Sequence, residues 1–150
     1  MAKNTSDVNI VDLLNTLLEA ERAGAKVLAA FLDEYPRGSA AWNQLLQVQQ
    51  DEAKNCAILI DSIRKLGGVP SGSVGGFFGK ALAVAGRPER LIFLNRGQAW
   101  VARTIAEVLP AISDTPLREM LQEMYDSHLS NIDACDALLV GLDDPGAAKV

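Results

Sequence analysis

The chain has 150 residues and a net charge of −5, so it can bury one core but carries no basic stripe of the kind nucleic acid or an anionic membrane requires. It is 49% hydrophobic yet only 5% aromatic, rich in Leu and Ala with few β-branched runs, which biases it towards helix. No apolar run reaches the ~18–20 residues of a membrane span, and "MAKNTSDVN" lacks the apolar segment of a signal peptide, so a cytoplasmic location is expected.

Four long helical segments follow in chain order. The first is predicted over about 9–35, with Asn9 as its cap, Asp12 three residues on, and Pro36 and Gly38 behind it. The second runs over about 39–66, capped by Ser39 and stopped by Gly67-Gly68. Between it and the third lie about twenty residues, "GGVPSGSVGGFFGKALAVAGR", whose amphipathic centre suits a short helix near 75–84. The third segment covers about 88–112, with Pro88 at its first position. The fourth covers about 115–140, behind Asp114 or Thr115, with Pro116 at its first position and Gly141 as its stop. Nothing alternates with period two over a strand's length. The chain reads as one all-α domain over 1–150, with its core at about 9–140 and a flexible tail at 142–150.

The connections set the expected topology. "EYPRGS" and "ISDTP" are short, so they close two antiparallel hairpins. A helix of ~27 residues is about 40 Å long, and a linker of about twenty residues, half helical and half extended, covers that distance. Two hairpins joined by one long crossover are expected, with a plain up-down-up-down bundle as the other arrangement.

Seams of alternating four- and three-residue steps can be laid on each helix. They read Leu14, Leu18, Glu21, Ala25, Leu28, Leu32; then Leu45, Gln49, Glu52, Cys56, Leu59, Ile63, Leu66. The second hairpin gives Leu91, Leu94, Gln98, Val101, Ile105, Val108, Ile112; then Leu117, Leu121, Met124, His128, Asn131, Cys135, Leu138. Every stripe is apolar at both ends and polar near its middle. Glu21, Glu52, Gln98 and His128, the only histidine, each lie about fifteen residues from the centre of their hairpin's turn. Equal counts mean equal height, so the four should converge in one layer. A buried carboxylate without a partner is costly by several kcal/mol. Two in one layer need either a cation or a shared proton.

"EAERAGAKVLAAF", "QDEAKNCAIL", "NRGQAW" and "YDSHLSNID" then resemble, in order, the four helices of the ferritin-like superfamily, most closely its rubrerythrin-type branch. The stretches "LLEAERAGA", "LNRGQ" and "DSH" are also similar to a small bacterial family of unknown function. The superfamily resemblance implies a ferritin-like four-helix bundle and a di-iron ligand set, a glutamate from each of two helices and a Glu-x-x-His pair from each of the others. Glu21, Glu52 and His128 match that pattern. Asn55 stands where a histidine belongs, Gln98 and Tyr125 where glutamates belong. Two irons need about four carboxylates, but two carboxylates and one imidazole suit a single divalent ion, Fe, Mn or Zn. Gln98 is a candidate fourth ligand, with Gln49, Tyr125 and Asn131 as its supporting shell.

Two functions stay open at this point. One is a single-metal protein with redox or metal-handling chemistry. The other is a non-catalytic bundle whose polar layer closes on its own hydrogen bonds and which serves as a dimeric interaction or small-molecule-binding module. Off-seam Leu13, Leu17, Leu46, Val48, Ile92 and Phe93 widen the apolar stripes and suggest a homodimer. Cys56 and Cys135 are expected to be reduced and too far apart to bridge.

Overall fold

The computed structural model describes the backbone of residues 5–143 and the side chains of 10–141, and it is all-helical. Five α-helices and one 3-10 turn follow in order: α1 (Thr5–Leu32), α2 (Ala40–Lys65), α3 (Phe77–Ala83), α4 (Arg87–Val108), the 3-10 turn Leu109–Ala111, and α5 (Thr115–Asp143). No strand occurs among the described residues.

Local chemistry explains most of the ends. Ser39 Oγ accepts from the Trp42 amide at 3.2 Å and caps α2. At the other end of α2, Gly67 takes φ +80°, which lets its amide reach Arg64 O and the Gly68 amide reach Ile63 O. That paired closure is a Schellman motif, and it satisfies two carbonyls the helix would otherwise strand. Asp114 Oδ2 accepts from the Leu117 amide at 3.0 Å and caps α5.

Other ends depart from the sequence expectation. Asn9 is not a cap, because α1 reaches back to Thr5. Pro88 and Pro116 fall at second rather than first helical positions, where the amide is also unneeded. Pro110 ends α4 at Val108 by tightening the chain into a 3-10 turn, short of residue 112. Gly141 does not stop α5, since an interior glycine costs a helix only about 1 kcal/mol. Of the expected tail, residues 144–150 lie outside the described residues.

α1 packs on α2 and α4 on α5, while α1 also meets α4 and α2 meets α5. Two apolar clusters fill the interior. One gathers Leu14 and Leu18 with Leu59, Ile63, Val101, Ile105, Leu117 and Leu121. The other gathers Val27, Leu28 and Phe31 with Leu45, Val48, Leu91, Leu94 and Cys135. The first cluster therefore holds the N-terminal halves of α1 and α5 and the C-terminal halves of α2 and α4. Each hairpin is antiparallel, and the segment from Leu66 to Gly86 must travel from one end of the helices to the other. α3 rides on α1 and α4 as part of that crossing.

The seams drift where the four-three step differs from a true 3.6-residue turn. Ala25 and Leu32 are only half-buried, and Gly24 and Phe31 take the interior positions of α1 instead. Likewise Val48 and Asn55, not Gln49 and Cys56, are the buried neighbours of Glu52. Leu17 and Val48 are fully buried in the core and cannot widen an outer stripe.

Cys56 packs against the first cluster and Cys135 lies in the second, so both thiols are free. Burial pushes the Cys56 thiol up to about 11 and the Cys135 thiol up to about 12. Alkylation in denaturant without reductant is expected to label both. Mass analysis finding a bridge would contradict this placement.

A candidate metal site between the two cores

The layer between the two apolar clusters is polar. α1 supplies Glu21, α2 supplies Glu52, α4 supplies Gln98 and α5 supplies His128, and each is 1–3% exposed. One donor atom from each of Glu21, Glu52 and His128 falls within 4.8 Å of the others. The four helices thus bring all four seam residues to one height.

His128 is fixed from both sides. Its Nδ1 lies 2.8 Å from Met124 O, and a carbonyl only accepts, so Nδ1 carries the hydrogen. Its Nε2 lies 2.8 Å from Glu21 Oε1. Either a proton sits between this pair or Nε2 is bare and available to a cation. A backbone carbonyl that fixes this tautomer is the usual support of a metal-bound histidine. Burial opposes the charged ring, but the Glu21 hydrogen bond and charge outweigh it and raise the His128 pKa.

The carboxylates are poorly satisfied. Glu21 Oε1 also accepts from Asn55 Nδ2 at 3.4 Å, yet Glu21 Oε2 and Glu52 Oε2 are buried with no partner. Burial, with the charge of Glu21 second, pushes the Glu52 carboxyl well above its ordinary range. Gly24 makes room for that carboxyl. A Cβ there would overlap Glu52 Oε2 and lie 2.7 Å from its Cδ.

Gln98 is oriented by a relay. Asp136 Oδ1 accepts from Asn95 Nδ2 at 2.9 Å, which turns Asn95 Oδ1 towards Gln98 Nε2 at 3.2 Å. The oxygen end of the Gln98 amide is then buried without a donor. Three oxygens of the layer are thus without a partner, a shortage that a cation would meet and that a proton held on Glu52 meets in part.

Two members of the expected supporting shell are elsewhere. Gln49 is half-buried and lines a surface hollow beside Leu32, Tyr35 and Trp42. Tyr125 is half-buried and packs on the first apolar cluster, with no hydrogen bond to either glutamate. Asn131 is 7% exposed, but its Nδ2 has no partner. Asn55 and Asn95 do the supporting work instead. Asn55 lies three residues after Glu52 and so shares its helix face, which was a usable signal. Asn95 depends on a contact with α5 that spacing does not reveal.

A cavity of about 420 Å³ opens beside this layer, between α1, α4 and the connecting segment. All four layer residues line it. The segment is held over it by Arg22 Nη1, which donates to Ser71 O and Ser73 O at 2.8 Å each, and by Asn15, whose Oδ1 accepts from the Ser71 amide at 2.7 Å. Phe77 then stacks on Phe93 at 5.0 Å between ring centroids and presses on Gly97, where a Cβ would lie 2.8 Å from the ring.

The raised carboxyl and imidazole carry a pH signature. A Glu52 folded pKa above the unfolded 4.5 gives stability that is full below that value and fades as pH rises towards the folded one. A raised His128 acts the same way above the unfolded 6.5. Chelator-treated protein is therefore expected to melt at lower temperature as pH rises from about 5 to about 9. A melting temperature that climbs across that window would contradict the assigned environment.

The family model described as Domain of unknown function (DUF6306) matches residues 8–137, and the chain belongs to that family. No curated protein and no solved structure matches the chain.

Proposed function

We propose that this protein is a ferritin-like four-helix bundle that binds one divalent cation, Fe, Mn or Zn, for redox or metal-handling chemistry. Glu21, Glu52 and His128 are its ligands, with Gln98 Oε1 as a weak fourth. The observation that carries this reading is the meeting of two buried carboxylates and one correctly tautomerised imidazole within 4.8 Å, with one oxygen of each carboxylate unpaired. Two carboxylates and one imidazole suit those three metals. The residues do not fit a pair of irons, because Asn55, Gln98 and Tyr125 stand where further charged or imidazole ligands would be needed. A bound cation supplies Lewis acidity or a redox couple at the floor of the cavity. The chain's own part is to hold the ligands, through Met124 O, Asn55 and Gly24.

Calorimetric titration of chelator-stripped protein with Mn, Zn and anaerobic Fe(II) tests this. One site per chain is expected, with a melting temperature that rises with metal concentration. No saturable binding, or two equivalents, would overturn it.

The second reading, a metal-free bundle that binds a small molecule, is favoured by the cavity of about 420 Å³, a size within the ordinary ligand-site range of roughly 300–1,000 Å³. Self-association as a homodimer belongs to either reading. Ile92 and Trp100, each 42% exposed on the outer side of α4, support it, although Leu17 and Val48 do not. Light scattering is expected to give twice the 16.0 kDa chain mass, and a 16.0 kDa particle at micromolar concentration would rule the dimer out.

A further inference from the structure

We propose that the cavity between α1, α4 and the connecting segment binds a small apolar molecule ending in one hydroxyl group, which donates to Gln98 Oε1. This deepens the small-molecule reading by naming the ligand class, and the two lone pairs of Gln98 Oε1 let a hydroxyl bind with or without a cation on the same oxygen.

Size comes first. The cavity is about 420 Å³, nearly three times the ~150 Å³ apolar cavity that admits benzene. It therefore suits a two-ring aromatic body or a chain of about eight carbons. The walls are apolar: Ala20 and Val101 on the helices, and Val74 and Phe77 from the segment above. A body of that size gains by leaving water for such walls.

The polar end is narrower in its demands. The Asp136–Asn95–Gln98 relay fixes the Gln98 amide with its nitrogen engaged, so what the amide offers is an acceptor. An acceptor buried with no donor is costly until it is met. The neighbouring unpaired atoms of the layer, Glu21 Oε2 and Glu52 Oε2, are also oxygens. A carboxylate ligand would add negative charge and more acceptors to that place. A hydroxyl supplies the missing hydrogen and remains neutral.

The mouth fits the same occupant. Thr16, Glu19, Arg96 and Trp100 line it on the solvent side, and the glycines at 75 and 76 stand in the wall formed by the connecting segment. Gly75 takes φ +64°, a backbone turn that a larger residue would resist.

2-Naphthol and naphthalene form a matched probe pair that differs by one hydroxyl. Calorimetry and amide NMR on the protein as purified, and again after chelation, are expected to show saturable 2-naphthol binding at one site, about tenfold tighter than naphthalene. Shifts should centre on Ala20, Gly97 and Gln98. Gln98→Leu keeps the shape and removes the acceptor, so it should lower 2-naphthol affinity to the naphthalene level. Ala20→Phe fills the cavity and should abolish both, with cation stoichiometry unchanged. Should that variant fail to fold, Gln98→Leu with retained naphthalene binding carries the test. Equal affinity of the two probes for the unmodified protein overturns the hydroxyl assignment while cavity binding stands. No saturable binding of either overturns both, and leaves the cation titration as a separate result.

Discussion

Replacing His128 with alanine is expected to abolish metal binding and to lower stability by about 3 kcal/mol. Two losses add up. The ring is 1% exposed between the two apolar clusters, so its removal leaves a void that neighbouring helices cannot close. Its departure also takes a donor from Glu21 Oε1, although Asn55 still reaches that atom at 3.4 Å, while Met124 O keeps the His128 amide as its helical partner. At this chain length about 3 kcal/mol corresponds to a melting temperature lower by roughly 6–12 °C. Metal analysis and thermal unfolding check the two halves separately. Metal content equal to that of the unmodified protein would remove His128 from the ligand set. An unchanged melting temperature would mean that the ring does not bridge Glu21 and Met124.

Gly24→Ala is expected to weaken cation binding by about 10–100-fold or more while leaving the fold intact. In an ordinary helix interior the change would add about 1 kcal/mol of stability, because glycine loses the most backbone freedom on folding. Here the new methyl would overlap Glu52 Oε2, which belongs to the neighbouring helix. The carboxylate sits at the far end of a flexible side chain and can swing away. It then no longer faces Glu21 and His128. Net stability should move by less than about 1 kcal/mol, since the helix gain offsets the displacement. Gly141→Ala is the matched control, because nothing lies within 4 Å of a Cβ there. It should stabilise α5 without touching metal affinity. Equal cation affinities in the two alanine variants would show that Glu52 is not held against Gly24.

The height of the polar layer was legible because it needed only two things, a helical period and two short turns of similar length. Glu21, Glu52, Gln98 and His128 could be counted from Arg37 and Asp114 without knowing how the helices pack. The supporting residues were not legible in the same way. The four-three step puts Gln49 on the seam, yet a true helix carries it out towards Trp42. Tyr125 enters only through the resemblance, one step off the seam, and its ring packs on the first apolar cluster. Asn55 stands in the sequence as a substituted ligand, whereas in the structure it donates to Glu21. Gly24 and Arg22 flank Glu21 closely in "EAERAGA", but their roles depend on partners 28 and 49 residues away, Glu52 and Ser71. The cavity had no sequence signal, since its wall is a glycine-rich stretch with no period and its position is set by Arg22 and Asn15.

Elemental analysis of the unmodified protein beside Glu21→Gln, both purified without chelator or affinity nickel, decides whether the polar layer holds a cation. Glutamine keeps the size of the side chain and an oxygen for His128 and Asn55, but it removes one buried negative charge. A metal site loses a charged ligand by this change, while a closed hydrogen-bond layer is left as stable or more so. One equivalent of Fe, Mn or Zn per chain is expected in the unmodified protein and almost none in Glu21→Gln. No metal in either protein, together with a higher melting temperature for Glu21→Gln, would contradict it.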